Sequence, residues 1–344
     1  MARHRRTLSI DVSVVICTYT EARWGVLCEA IESVRRQTIA PRDVVLVVDH
    51  NERLAHRARA MWAEIVVADN CNEVGLSGSR NTGVAASHGR IVAFLDDDAV
   101  ADSDWLERIV AAYDQNVALA VGGAITAVWE SGQPDWFPDE FAWVVGCSYR
   151  GLPSVCSPVR NAIGANMSVR REAFDAVGGF HTGVGRTSAS LAGCEETELC
   201  VRIGKHWSGP AVLYDPAIRV RHHVTPARAQ WNYFLSRCYA EGRSKAAVAR
   251  LVGGTAALST EASYATRVLP AAIWREMRAA VVQRSAAPLA RAGAIVLGLA
   301  ATTAGFLVGQ LEARSNGRRF ASRLVDDAST NPRRQSRAGR SQHG

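Results

Sequence analysis

The sequence lacks several features that would assign it to a familiar class. Its eight cysteines lie far apart, with no C-x-x-C pair and no zinc-like cluster, so we expect scattered reduced thiols in the core. No G-x-x-x-x-G-K-[ST] signature occurs, which disfavours a P-loop protein. The apolar run between Asp11 and Glu21 is too short for a signal peptide. The scattered cysteines favour a cytoplasmic location.

Positive charge is also absent from the middle of the chain, although the formal net charge is +7. Residues 1–6 and 240–344 are basic, and residues 7–239 carry a net negative charge. A nucleic-acid-binding body would show the reverse distribution, so we exclude nucleic acid as a partner. Basic ends around an acidic body suit a membrane surface, or simply favour solubility.

Apolar strand-like and helix-like segments alternate from Val12 onward, in a chain of 344 residues that is 48% hydrophobic. This alternation predicts an α/β fold with a mostly parallel, doubly wound sheet and helices on both faces. The predicted strands cover 12–17, 43–49, 64–69 and 90–98, and the helices 25–37, 52–62 and 78–87. Ligands of such sheets bind beyond the carboxyl ends of the strands, where this chain collects its polar residues.

The second half is less regular. Residues 129–149 are rich in aromatics and proline and predict an irregular excursion. A strand, a short helix and a Gly-Gly turn are predicted within 164–180, and a helix over 194–205. Two short strands follow at 211–216 and 218–224, and Thr225-Pro226 is expected to begin a helix.

The segment 292–311 contains no charged residue and includes the G-x-x-x-G pattern of Gly305 and Gly309. Twenty helical residues extend about 30 Å, enough for a bilayer core. A membrane span, an interfacial helix and a buried helix all remain open. Upstream, 263–284 mixes arginine with apolar residues at helical spacing, as a membrane-surface helix would.

Three consecutive acids, Asp96, Asp97 and Asp98, end the strand 90–98, and no basic residue lies beside them in the sequence. Asp96 and Asp98 leave a strand on the same side and can share Mg²⁺ or Mn²⁺. A solvated turn would explain the three consecutive aspartates equally well.

Other candidate residues have similarly divided interpretations. The small-residue segment 75–83 leads into a helix with Arg80 at its entry, where Arg80 can hold a phosphate or simply belong to a helix start. Glu195 and Glu196 begin another helix and complement its dipole, or one of them is a general base. His222 and His223 are adjacent on a strand, so only one can face a given site, as a metal ligand or a core residue.

Six segments occur in a recognisable order over about residues 11–245: VSVVICTYTE, VVLVVD, GLSGSRNTGVAASHGRIVAFLDDDAV, GANMSVRREAFDAVGGF, GCEETELCVRIG and VRHHV. In this order they resemble the inverting family 2 glycosyltransferases of GT-A fold. The resemblance implies that a nucleotide-diphospho-sugar donor binds at the strand ends and that a carboxylate activates the acceptor hydroxyl.

The resemblance also implies roles for individual residues. Asp96 and Asp98 match the D-x-D acids, with Asp98 the direct ligand of Mg²⁺ or Mn²⁺ and Asp97 close to the ribose and phosphates. Glu196 stands where the family's catalytic base is an aspartate, and His222, rather than His223, matches a late metal or diphosphate contact. The residues implied for nucleotide and donor are Thr18, Tyr19, Glu21, Asp49 and Arg80.

We therefore expect a metal-dependent inverting glycosyltransferase that uses a UDP-, GDP- or TDP-sugar and a cell-envelope glycan or lipid-linked acceptor. The alternative is a non-catalytic nucleotide-sugar-binding module tethered at the cytoplasmic face of a membrane. Four aromatic residues are candidates to stack on the acceptor or to pack with one another: Trp129, Trp136, Phe137 and Trp143. The expected organisation is a basic tail (1–10), a transferase domain (11–245, divided at 125/126), C-terminal helices (246–311) and an Arg-rich disordered tail (312–344).

Overall fold

The structure is a computed structural model that describes residues 11–186, 191–253 and 261–330, the last 18 of them as backbone only. A mixed, nine-stranded sheet forms the centre of the fold. The expected tails at 1–10 and 331–344 lie outside the described residues. The strand order is β3-β2-β1-β4-β8-β6-β9-β5, and β7 pairs with β9. The strands are β1 Val12–Thr18, β2 Asp43–Val48, β3 Val66–Asp69, β4 Ile91–Asp96, β5 Ala99–Ala101, β6 Ala120–Trp129, β7 Ser157–Pro158, β8 Asn166–Arg170 and β9 Val212–Val224.

The helices connect these strands and cover both faces of the sheet. They are α1 Trp24–Arg35, α2 Glu52–Met61, α3 Leu76–Ala86, α4 Trp105–Gln115, α5 Arg171–Val177, α6 Glu195–His206, α7 Trp231–Val252, α8 Leu269–Gln283 and α9 Ala287–Thr330. Short 3₁₀ turns cover Glu21–Arg23, Asp139–Val145 and Pro226–Ala229. The helix expected to begin at Thr225-Pro226 is therefore only a 3₁₀ turn, and α7 begins after it.

The first half of the sheet is parallel, as the sequence predicts. β1 lies between β2 and β4, and β2 also pairs with β3, all in parallel register. Because side chains alternate along a strand, Ile16 packs in the core beneath α1 and α2, and Val15 packs in the core beneath α5 and α6. Both side chains are almost fully buried, which explains the continuous apolar run.

The second half of the sheet is mixed. β8 is antiparallel to both β4 and β6, and β9 is parallel to β6. The two strands predicted at 211–216 and 218–224 are one strand, β9, with a register shift beside Gly123 and Ala124. The shift falls at Pro216, which has no backbone N–H, and the next amide, of Ala217, donates instead to Asp215 Oδ1 at 2.9 Å.

The C-terminal helices pack against the rest of the described chain, chiefly against α7, rather than apart from it. α9 lies along α7, and a Cβ on Gly305 would stand 2.0 Å from the carbonyl oxygen of Tyr239. The same close approach occurs between Gly242 and the Thr302 carbonyl. These glycines allow the two backbones to meet. α7 continues through residue 245, where we expected a domain boundary, to Val252.

One helix in the described part of the chain, Ala287–Glu312, is long and apolar enough to cross a membrane by length and composition. Its outward face exposes apolar side chains, as does the neighbouring α8, where Trp274 is 70% exposed. The face opposite contacts α7 and the interior.

Candidate active site

The three acids that end β4 have three different environments. Asp96 Oδ1 lies 3.5 Å from Arg80 Nη2. Asp97 accepts hydrogen bonds from Thr18 Oγ1 and Arg23 Nη1, both at 2.8 Å. The acids are therefore not a solvated turn, since Asp97 and Asp98 are 3% and 5% exposed.

Asp98 lies among three cationic side chains. Its carboxylate is 2.9 Å from His222 Nε2, 3.2 Å from Arg23 Nη1 and 3.3 Å from Arg228 Nη2. Neither arginine was predicted from the sequence, because both are distant from the acids along the chain. The only available signal was the unbalanced run of acids itself, which a buried site must neutralise.

The pKa values of Asp97 and His222 are raised in this environment, whereas that of Asp98 is lowered. Burial, together with repulsion from Asp98, raises the pKa of Asp97 to about 6. Burial also opposes ionisation of Asp98, yet the charges of His222 and Arg228 outweigh it and hold the pKa of Asp98 below its usual range. The pKa of His222 rises to about 10 because the attraction of Asp98 exceeds the effect of burial.

Asp96, Asp98 and His222 form a group that fits a divalent cation. One ligand atom from each lies within 4.8 Å of the others. Two carboxylates and one imidazole suit Mn²⁺, and the carboxylates suit Mg²⁺. His223 is directed elsewhere: its Nε2 is 3.2 Å from Glu29, as alternation along β9 requires.

The remaining strand-end residues lie at the carboxyl edge of β1 and β2. Asp49 accepts hydrogen bonds from Asn70 Nδ2 at 2.6 Å and from the Gly75 amide at 2.9 Å, which fixes the loop before α3. Glu21 pairs with Arg53 at 3.1 Å. Tyr19 is 44% exposed.

The two glutamates that begin α6 have different environments. Glu195 Oε1 accepts a hydrogen bond from Arg80 Nη1 at 2.8 Å, and both side chains are buried. Glu196 is only partly buried and forms no ion pair with any side chain that the structure describes. Although part of the residue is exposed at the cavity wall, desolvation of its carboxyl group by the surrounding protein, followed by repulsion from Glu195, raises its pKa to about 8. A carboxylate with this pKa is suited to accept a proton near neutral pH.

A cavity of about 490 Å³ joins these groups. Arg80, Asp96, Glu196 and His222 contribute to its wall. Thr18, Tyr19, Glu21, Asp49, Asp97 and Asp98 are not among the described residues that line it. The cavity thus begins at the candidate metal group and passes the candidate base.

Three of the four aromatic candidates for acceptor stacking pack against one another, and the fourth lines the cavity. Phe137 is 1% exposed and contacts both Trp129 and Trp136, with ring centroids 5.0 and 5.6 Å apart. Trp136 also meets Trp231 edge to face at 4.6 Å. These three residues of the excursion form a packed cluster. Trp143 instead lines the cavity.

A charge network beyond Glu196 was not predicted from the sequence. Glu241 pairs with Arg237 at 2.9 Å and with Lys245 at 3.3 Å, all on α7. Lys245 also pairs with Glu261. All four line the cavity. The i, i+4 spacing of Arg237, Glu241 and Lys245 was visible in the sequence, but it did not show that this face of the helix is buried.

Comparison with known proteins identifies related sequences and folds. Residues 13–178 match the model of glycosyl transferase family 2. The chain is 38% identical over 240 residues to a glucosyl-dolichyl phosphate glucuronosyltransferase of Haloferax volcanii, covering 69% of this chain and 76% of the relative. It is 26% identical over 246 residues to the succinoglycan biosynthesis protein ExoM of Rhizobium meliloti, covering 69% and 74%.

Among solved structures, the chain is similar to the mannosyltransferase PcManGT of Pyrobaculum calidifontis, solved with GDP-Man and Mn²⁺. The TM-score is 0.54 at 18% identity, over 85% of this chain and 86% of that chain. The similarity extends into the C-terminal helices and confirms the expected GT-A fold.

Proposed function

The chain belongs to glycosyl transferase family 2, and on that premise we propose that it transfers a sugar, with inversion, from a nucleotide-diphospho-sugar to a hydroxyl of a lipid-linked acceptor. One observation carries the proposal: Asp96, His222 and Glu196 line one cavity, so a candidate metal group and a candidate base lie on the same reaction path.

Asp96, Asp98 and His222 would hold the cation, Mg²⁺ or Mn²⁺, which supplies charge neutralisation for a leaving diphosphate. Arg80 lies beside Asp96 and adds a fixed positive charge at the same edge. Thr18, Tyr19, Glu21, Asp49 and Asp97 would receive the nucleotide at the ends of β1, β2 and β4.

Glu196 would remove the proton from the acceptor hydroxyl as that oxygen attacks the anomeric carbon. Glu195 is less suited to this role because its Oε1 is bonded to Arg80. Burial, and then repulsion from Glu195, raise the pKa of Glu196. Attack opposite the leaving diphosphate inverts the configuration.

The acceptor proposal is supported by the relative's name and by the C-terminal helices. The Haloferax relative acts on glucosyl-dolichyl phosphate, so we propose a glycosylated lipid phosphate as acceptor here. The exposed apolar faces of α8 and α9, with Arg278 and Arg284 nearby, would rest on the cytoplasmic face of a membrane.

A donor screen tests the proposal. Thermal unfolding of the full chain with Mn²⁺ is measured across UDP-, GDP- and TDP-sugars, including UDP-glucuronic acid. We expect one nucleotide series to raise Tm only when Mn²⁺ is present, because ligand binding to the folded state stabilises it. No shift with any donor would contradict the proposal. Binding without transfer to any lipid acceptor would favour the non-catalytic module.

A further inference from the structure

Three arginines that line the cavity lie close enough to repel one another: Arg186, Arg228 and Arg237. Arg228 pairs with Asp98, and Arg237 pairs with Glu241. Arg186 forms no ion pair within residues 11–186, 191–253 and 261–312. Burial, and then repulsion from Arg237 and Arg228, lowers its pKa. The cluster thus contains a positive charge that the described chain does not neutralise.

Arg237 also has an unused donor. The residue is 7% exposed, and its Nε has no hydrogen-bond acceptor in the described structure. A buried N–H without an acceptor is costly, so such groups usually have a partner. Because Arg237 lines the cavity, a bound anion would supply that partner.

The wall next to this cluster is apolar. Leu299 and Phe306 of α9 and Leu269 of α8 line the same cavity. Trp143 also lines the cavity, and the guanidinium carbon of Arg237 lies over its ring, 5.9 Å from the centroid. The cavity therefore offers positive charge beside an apolar surface, which matches an anionic head group on a hydrocarbon chain.

We propose that Arg186 and Arg237 bind the phosphate of the lipid acceptor, with its hydrocarbon chain against α9. This inference rests on the proposed function and names the group of the acceptor that the cavity recognises. The donor diphosphate is assigned to other residues, Asp96 and His222. The Arg186 backbone is fixed close to α3, since its carbonyl accepts from the Leu76 amide at 2.9 Å.

The test is isothermal titration of the full chain with four probes: dodecyl phosphate, neutral dodecyl glucoside, inorganic phosphate, and UDP or GDP with Mn²⁺. The variants are Arg186→Gln and Arg237→Gln. The matched control is Arg221→Gln, an exposed arginine of β9 that lies outside the cavity and has no ion pair with a described residue. Arg186 is the primary position, because removing it breaks no ion pair in the described structure.

We expect dodecyl phosphate to bind more tightly than dodecyl glucoside and inorganic phosphate. Arg186→Gln should weaken dodecyl phosphate binding about tenfold, as expected for a charge-assisted hydrogen bond. Arg186→Gln should keep the affinity for nucleotide within about twofold of the wild-type value. Arg221→Gln should change neither the affinity for dodecyl phosphate nor that for nucleotide.

Three outcomes would overturn the inference. Equal binding of the two dodecyl compounds would exclude a phosphate site. Equal binding of dodecyl phosphate and inorganic phosphate would exclude the lipid chain. An equal loss of nucleotide binding in Arg186→Gln would assign the cluster to the donor. Absence of nucleotide binding in the wild type would instead contradict the proposed function, so the two failures are distinguishable.

Discussion

Arg80 and Glu195 form a buried ion pair, with 2.8 Å between Nη1 and Oε1, that links α3 to the first turn of α6. Both side chains are at most 5% exposed. Arg80 holds the Glu195 side chain in place, whereas the adjacent Glu196 lines the cavity without an ion pair to a described side chain. The electrostatics of the proposed base therefore depend on its neighbour.

Breaking this pair should destabilise the fold. Glu195→Gln leaves the Arg80 charge buried with a weaker partner, and we expect a loss of about 3 kcal/mol in the free energy of unfolding, measured in urea. The control is Glu32→Gln, which breaks an exposed i, i+4 pair with Arg36 and should cost less than about 0.5 kcal/mol. Equal losses of unfolding free energy in the two variants would show that the buried pair contributes no more to stability than the exposed pair.

Glu196→Gln should abolish most transfer while preserving the shape of the site. We expect kcat to fall by about 10²–10⁴, the range for loss of a general base. Nucleotide affinity should stay within about twofold of the wild type. Glu172→Gln, an exposed acid in the first turn of α5, is the matched control and should retain full activity. Unchanged kcat in Glu196→Gln would remove this residue from the mechanism.

The raised pKa of Glu196 predicts a pH profile. Because the base must be ionised and its pKa is about 8, kcat/KM should rise about tenfold per pH unit below that value and level off above it. A rate profile that is flat between about pH 6 and 9 would contradict this assignment.

Stability should change with pH in the opposite direction. The folded state keeps the Glu196 proton over a range, from its ordinary value of 4.5 to about 8, in which the unfolded state has lost it. Unfolding free energy therefore falls as pH rises through this window. Urea titrations should show a smaller fall in Glu196→Gln; identical slopes in the two proteins would count against a raised pKa.

The strand ends show which parts of the site the sequence can predict. β1 and β4 are visible because β-branched runs end abruptly in polar residues, and parallel pairing then brings Cys17 opposite Asp96. Arg23 and Arg228 were missed because their contacts with Asp98 depend on how two 3₁₀ turns, Glu21–Arg23 and Pro226–Ala229, fold over the strand. Local spacing contains no information about such contacts.

The C-terminal half shows the same limit. β9 appeared as two strands because Pro216 interrupts the apolar pattern, although a register shift absorbs it. The apolar segment 292–311 did not reveal its partner, because a glycine-rich face suits a membrane helix and a close soluble helix pair alike. Only the structure shows α9 against α7.

Two adjacent histidines provide a matched test of the metal group. His222→Gln should weaken Mn²⁺ binding at least about tenfold, because its Nε2 lies 2.9 Å from Asp98. His223→Gln should leave it unchanged, because that ring faces Glu29. Mn²⁺ titration followed by electron paramagnetic resonance measures both without requiring activity. Equal losses in the two variants would contradict the assignment of the metal group to one face of β9.

The exposed apolar faces of α8 and α9 should mediate membrane binding. Trp274→Ser combined with Val281→Ser should reduce co-sedimentation with anionic liposomes, because both side chains are at least 70% exposed on α8. Val117→Ser, at an even more exposed valine in the loop before β6, is the control and should have no effect. Failure of the wild-type protein to co-sediment with liposomes would contradict the proposal that α8 and α9 bind a membrane.

The most direct test of the account is the stereochemistry of transfer. Wild-type protein and Glu196→Gln are incubated with Mn²⁺, the α-linked nucleotide-sugar that the donor screen identifies, and a glucosylated short polyprenyl phosphate. Proton NMR then reports the anomeric configuration of the product. We predict a β-linked sugar from the wild type, none with EDTA, and almost none from Glu196→Gln. An α-linked product, or full activity of Glu196→Gln, would contradict the proposed inverting mechanism.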